Sequence, residues 1–265
     1  MQLGLQVSSL REHLKTPDDV RESFIKIKEI GFNCVQIQYI GDAVSTENVK
    51  ESLNESGLEC VGTQDDLKAF NNANVEKIIA RNLLWQAKYV CAAIVAPQDS
   101  EENKNLSSYL NDISKNFREN GLVFEIHPLF PSLVAKGNIT PFEILMERLD
   151  DEILIQPDFF HVFMSKTDPV NFIEKYSGKI FEAHFKDCKI IDGGLDKIPS
   201  YDFDVLKYFP LTPIGQGVID WKKIVEACKK HGVEYCWAEQ EEWEKDAFEC
   251  MNESFDYLMG FGLEA

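Results

Sequence analysis

No apolar run in the chain reaches the roughly 18 residues that a membrane-crossing helix needs, so insertion into a bilayer is not expected. The opening stretch MQLGLQVSSLREH has no basic head followed by an apolar segment, and no secretory signal is expected from it. The seven cysteines form no Cys-x-x-Cys pair. Their odd number, and the placement of Cys34, Cys60, Cys91 and Cys236 in apolar runs, argue against a disulfide scaffold. Buried free thiols in a reducing, cytoplasmic setting fit better. Positive charge is scarce: 27 Lys and Arg stand against 45 Asp and Glu, a formal net charge of −18. Such a field repels polyanions, and no local basic patch offsets it, so nucleic acid and anionic membrane are poor partners. No Pro/Gly-rich linker, low-complexity stretch or charge block divides the 265 residues, and a single domain over 1–265 is expected.

What the chain does have is alternation. Eight short apolar runs, at 3–8, 34–40, 58–63, 89–96, 122–128, 152–158, 180–187 and 235–241, are rich in Val, Ile and Cys. Many lack clean in/out alternation, as expected of strands in a parallel sheet covered on both faces. Segments of helical period separate them. In the first, Thr16 can cap, Pro17 takes the first helical position, Asp18 and Asp19 suit the positive helix end, and Val20, Phe24 and Ile27 make one apolar stripe ending near Gly31. Further helices are expected near 46–56, 73–87, 103–119, 141–149, 169–176, 221–231 and 246–260. Eight strand–helix units in this length are the size and count of an α/β fold of the (β/α)8 TIM barrel type. The competing doubly wound sheet lacks its phosphate fingerprint, since Ser8-Ser9-Leu10-Arg11 follows the first run.

Barrel active sites lie at the C-terminal ends of the strands. In the first four runs those ends hold only glutamines (Gln6, Gln36, Gln38, Gln64). In the last four they hold Glu125 and His127, Asp158 with His161 close behind, His184 with Lys186 and Asp187, and Glu239 with Gln240, Glu241 and Glu242. Carboxylates and imidazoles among Phe, Ile and Trp are costly to bury unless paired or metal-bound. Glu125, Asp158, His184 and Glu239, one from each of four successive strands, would offer three carboxylates and one imidazole. That set suits a hard to borderline divalent ion, Mn²⁺ before Mg²⁺ or Co²⁺, more than a structural Zn²⁺ site. The plainer reading is four separately hydrogen-bonded strand ends. Gly215-x-Gly217 reads as loop geometry, with a phosphate cradle as the weaker reading. Trp221 reads as packing at a helix start capped by Asp220, and Lys186 as a substrate contact or a partner of Asp187.

At these residues the chain resembles the sugar phosphate isomerase/epimerase superfamily with the xylose isomerase-like barrel, whose members include ketose 3-epimerases, hydroxypyruvate isomerases and inosose dehydratases. FEIHP, PDFFHV with DPVNFIEKYSGKI, HFKD, PIGQGVIDWKKI and AEQE carry the resemblance, most specifically from about 121 to 241. It implies a divalent metal on Glu125, Asp158, His184 and Glu239, with Mn²⁺ expected and Mg²⁺, Co²⁺ or Zn²⁺ as alternatives. It implies Glu125 and Glu239 as a catalytic acid/base pair working through an enediolate, and His127, His161 and Lys186 as substrate contacts. The implied partner is a small sugar or polyol, in an isomerase, epimerase or dehydratase of carbohydrate metabolism. Barrels of this kind often form homodimers, though no residue here points to one. The chain departs from the pattern at Ser165-Lys166-Thr167 before Asp168-Pro169, at Pro128-Leu129-Phe130-Pro131 after the strand-five histidine, and in having only Lys186 and Lys189 as cations after His184. These departures leave open a non-catalytic sugar-binding barrel. An apurinic-site endonuclease is disfavoured by the five histidines and the negative charge.

Overall fold

The computed structural model describes residues 1–71 and 73–265. Eight strands form one sheet: β1 (Gln2–Gln6), β2 (Cys34–Ile37), β3 (Glu59–Asp66), β4 (Tyr89–Ile94), β5 (Val123–Pro128), β6 (Leu154–Ile155), β7 (Glu182–Phe185) and, after a short antiparallel pair β8 (Asp187–Cys188) and β9 (Leu211–Thr212), β10 (Tyr235–Ala238). The order β6-β5-β4-β3-β2-β1-β10-β7 is parallel throughout. Its two free edges meet at a parallel bridge between Asp158 and His184, where the His184 N–H reaches Pro157 O at 2.8 Å. The sheet is therefore a nearly closed barrel, as the eight runs predict. β6 is cut to two residues because Pro157, inside its run, has no N–H to give the ladder.

Helices α1 (Pro17–Ile30), α2 (Thr46–Ser56), α3 (Val75–Trp85), α4 (Ser100–Glu119), the short α5 (Phe130–Leu133), α6 (Pro141–Met146), α7 (Phe159–Met164), α8 (Pro169–Lys175), α9 (Trp221–Lys230) and α10 (Ala247–Met259) surround it. The caps anticipated for α1 form: Thr16 and Asp19 close a reciprocal capping box and Pro17 opens the helix. Asp220 caps α9 through Lys223 N. Several regions differ from expectation, among them the short helices α5 and α7, which stand where none is expected. Val7–His13 coils into 3-10 turns directly after β1, and 188–220 holds the β8–β9 pair and two further 3-10 turns where no element is expected. Among the described residues, no helix is long and apolar enough to cross a membrane. The seven cysteines are buried and free.

The core divides as alternation demands. A large apolar cluster lies between sheet and helices, while Cys34, Val61, Tyr89 and Trp237, with Val123, Leu154 and Tyr235, form a second one. The second plugs the N-terminal half of the barrel bore. Gly4 makes room for it, since a Cβ there would stand 2.2 Å from the Trp237 ring. Two residues beyond Cys34, Val123, Leu154 and Trp237, at Gln36, Glu125, Gln156 and Glu239, the bore becomes polar.

Candidate functional site

Period two turns alternate residues of each second-half strand inward: Val123-Glu125-His127, Leu154-Gln156-Asp158, Glu182-His184-Lys186 and Tyr235-Trp237-Glu239. Above the apolar plug, Gln156 Nε2 bridges two fully buried carboxylates, reaching Glu125 Oε2 at 3.1 Å and Glu182 Oε2 at 2.6 Å. Trp237 Nε1 also donates to Glu182 Oε2, at 3.2 Å. Burial, then the neighbouring Glu182 charge, pushes the Glu125 carboxyl well above the ordinary carboxylate range. Burial raises Glu182 to about 7, held there against hydrogen bonds from Trp237 and Glu125.

At the mouth, ligand atoms of Asp158, His184 and Glu239 lie within 4.8 Å of one another, all buried. Glu239 Oε2 faces His184 Nδ1 at 2.7 Å and Lys186 Nζ at 3.1 Å, and its Oε1 accepts from Ser8 Oγ at 3.1 Å. His184 Nε2 meets Gln36 Oε1 at 2.6 Å, and that oxygen also accepts from Gln6 Nε2 at 2.8 Å. The buried Lys186 ammonium touches Asp158 Oδ2 at 3.3 Å and Glu241 Oε2 at 3.1 Å in addition to Glu239. Burial alone would raise Glu239, but Lys186 and His184 outweigh it and hold this carboxyl well below its ordinary range. Burial alone would lower Lys186, but Glu239, Glu241 and Asp158 outweigh it and hold the amine well above its own.

Glu125 is in neither of the two groups of converging ligand atoms among the described residues. The β5 residue that reaches Asp158 is His127, whose Nδ1 donates to Gln156 O at 3.1 Å. Asp158 caps α7: its Oδ1 accepts from Phe160 N at 2.7 Å, which sets His161 one turn on, with Nε2 at 3.8 Å from Asp158 Oδ2. Burial pushes His127 well below the usual imidazole range, reinforced by His184. Burial likewise brings His161 down to about 4, against the pull of Asp158. A cavity of about 220 Å³ opens beside these groups, lined by His161, Lys186, Glu241, Arg11, Phe160 and Phe209.

The structure corrects two smaller readings. Lys186 pairs with Asp158, Glu239 and Glu241, not with Asp187. The Gly215-x-Gly217 turn is no phosphate cradle, because the Asp187 carboxylate fills it. Asp187 Oδ2 accepts from Gly215 N at 3.0 Å, Gly217 N at 3.2 Å and Trp221 Nε1 at 2.8 Å. A Cβ at Gly217 would stand 2.0 Å from Asp187 Oδ1, so only glycine admits this approach.

The sequence profile of the xylose isomerase-like TIM barrel family matches residues 24–254, most of the chain and all of the mouth-forming strand ends just described except the first. The chain belongs to this family. Solved structures agree in fold. A sugar phosphate isomerase/epimerase from Parabacteroides distasonis superposes with a TM-score of 0.76 at 17% identity, covering 97% of this chain and 93% of that one. An L-ribulose 3-epimerase gives 0.71 at 12% identity over 99% and 95%, and an IOLI protein solved with a bound zinc atom gives 0.71 at 16% over 98% of each chain. A sequence comparison with curated proteins finds no match. Within this family barrel, the residues that sequence reading passed over are Ser8, Gln156 and Glu182, while Gln36 and Glu241 are placed at strand ends without a role. Glu182 was visible as a carboxylate two residues before His184, hence on the same face. Ser8 and the glutamines carry no such signal.

Proposed function

We propose that the chain is an isomerase or epimerase of a small ketose or related polyol, moving a proton at the carbon beside the carbonyl and passing through an enediolate. The observation that carries this reading is the convergence of Asp158, His184 and Glu239 at the C-terminal mouth of the barrel, beside a cavity of sugar size. Two buried carboxyl groups, one at the mouth and one a level below it, are driven apart: Glu239 is held ionised by Lys186 and His184, while Glu125 is held protonated by burial. Opposite environments for two carboxyls identify the base. Glu239 takes the substrate proton. Glu125 is the proton-bearing counterpart, tied to Glu182 through Gln156 one level below the mouth; the Gln156 and Gln36 amides orient these carboxyls and pass no proton, so Glu239 itself returns the proton it took. Lys186, at the cavity wall, faces the substrate's oxygen atoms.

Asp158, His184 and Glu239 suit a divalent cation. Their oxygens already gather one positive charge, the Lys186 ammonium, 3.3 Å from Asp158 Oδ2 and 3.1 Å from Glu239 Oε2. Two carboxylates and one imidazole form a hard set that favours Mn²⁺ or Mg²⁺. A cation held there would polarise the substrate's carbonyl and hydroxyl oxygens and so acidify the adjoining C–H. The remaining work falls to Glu239 and Lys186.

The test is proton exchange. Mn²⁺-supplemented protein incubated with a panel of free ketoses and inososes in D₂O should wash deuterium into the carbon next to the carbonyl of at least one of them. Glu239→Gln should abolish the exchange. Folded, metal-supplemented protein that exchanges nothing on the panel would refute the reading, and loss of water from an inosose after exchange would make it a dehydratase.

A further inference from the structure

The reading above uses one of the two groups of ligand atoms at the mouth. The other is His127, Asp158 and His161, again with ligand atoms within 4.8 Å of one another and all buried. We propose that these three residues form a second divalent-cation site, of two imidazoles and one carboxylate, which shares Asp158 with the Asp158–His184–Glu239 group.

Three observations point to a ligand there. First, a polar atom is unsatisfied: His161 Nδ1 is buried without a hydrogen-bond partner, and the buried Asp158 Oδ2 accepts no hydrogen bond and has only the Lys186 ammonium, at 3.3 Å, beside it. Leaving buried polar atoms unpaired costs about 1–3 kcal/mol each unless something fills the gap. Second, His127 is held as a metal-binding imidazole is held. Its Nδ1–H donates to Gln156 O at 3.1 Å, which fixes the tautomer and leaves the Nε2 lone pair free. Both His184 nitrogens, in contrast, already face oxygen, Glu239 Oε2 at 2.7 Å and Gln36 Oε1 at 2.6 Å. Third, Lys186 lies on Glu239 and Glu241 as well as on Asp158, so the Glu239 side of the mouth already has a cation of its own. Two imidazoles and one carboxylate are a softer set than two carboxylates and one imidazole, and they select Co²⁺, Zn²⁺ or Fe²⁺ over Mg²⁺.

The experiment titrates Co²⁺ into metal-stripped full-length protein, reading bound equivalents by equilibrium dialysis and by the visible absorption of the bound ion. Two equivalents are expected in the unsubstituted protein. One should be lost in His127→Gln, one in His161→Asn, one in Glu239→Gln, and both in Asp158→Asn. A single equivalent that disappears in His127→Gln and His161→Asn but survives in Glu239→Gln still supports the second site, while overturning the metal placement under the proposed function. A single equivalent lost only in Glu239→Gln overturns the second site and leaves the proposed function standing. No bound Co²⁺ refutes both. Should the histidine variants fail to fold, paramagnetically shifted imidazole resonances of the unsubstituted Co²⁺ protein decide. Signals from three histidines support the site, and signals from His184 alone refute it.

Discussion

Replacing Lys186 by Met tests the charge arrangement at the mouth without touching a ligand. The ammonium is 5% exposed and lies 3.3 Å from Asp158 Oδ2, 3.1 Å from Glu239 Oε2 and 3.1 Å from Glu241 Oε2. Methionine keeps the length and the apolar stem but removes the charge. Removing one partner of a buried ionic cluster costs about 3–5 kcal/mol when the remaining charges stay buried; here Asp158 and Glu239 do, while Glu241 keeps water and Arg11 at 4.0 Å. Protonation of Glu239 would recover part of this, so a loss near 3 kcal/mol is expected, or roughly a 10 °C fall in Tm for a domain of this size. A divalent ion should then do for the variant what Lys186 does for the parent. At a concentration one hundred times its Kd, bound ion adds about 2.7 kcal/mol to either protein. Because the variant's oxygens have lost their resident cation, its Kd should be lower and its stabilisation at a given Mn²⁺ concentration larger. The assay is calorimetric unfolding of both proteins in EDTA and across a Mn²⁺ series. If Lys186→Met is as stable as the parent in EDTA, or if Mn²⁺ raises its Tm no more than the parent's, the picture of one cation holding three carboxylates together is wrong.

Glu182 supplies a pH prediction. Its carboxyl is raised from 4.5 to about 7, so the folded state binds a proton more tightly than the unfolded one. The stability this contributes is complete below about pH 4.5 and is lost as pH rises through about 7, by an amount of order 3 kcal/mol; Glu182→Gln should flatten that slope in urea titrations run from pH 5 to 8. Asp187→Asn should cost about 2–3 kcal/mol, because an amide cannot accept on both sides from Cys188 N, Gly215 N, Gly217 N, Ile219 N and Trp221 Nε1. Gly217→Ala should destabilise comparably by driving a methyl into the same carboxylate, and a loss under 1 kcal/mol in both variants would show that the turn does not depend on Asp187. Ser8→Ala removes the hydroxyl 3.1 Å from Glu239 Oε1 and should lower kcat for the exchanging ketose about tenfold with KM little changed, read by deuterium wash-in.

Fold was legible because the signals for it are local. Apolar runs, caps at Thr16 and Asp220, and Gly-terminated helices are each decided within a few residues, and the tertiary structure agrees with them. The 188–220 segment was not legible, since its β8–β9 pair and 3-10 turns are organised by distant partners such as Asp187 and the Gly215–Gly217 backbone. The site falls between these cases. Strand-end chemistry singled out Asp158, His184 and Glu239, whose ligand atoms lie within 4.8 Å of one another, together with Glu125, which does not join them, because a strand end in sequence has no height. Parallel pairing places Glu125 opposite Leu154, while Asp158 bridges to His184. On an inward face, two residues of strand separate successive levels by roughly 6.6 Å, more than a coordination sphere spans. Glu125 therefore sits one level down, with Gln156 and Glu182, while His127 stands at the mouth. A register would have been needed to see this, and register is a property of neighbouring strands, not of one. The same reasoning explains why Lys186 could be placed at the mouth from HFKD alone, yet not its three carboxylate partners: Asp158, Glu239 and Glu241 come from two other strand ends, and only closure of the barrel brings them to a single ammonium.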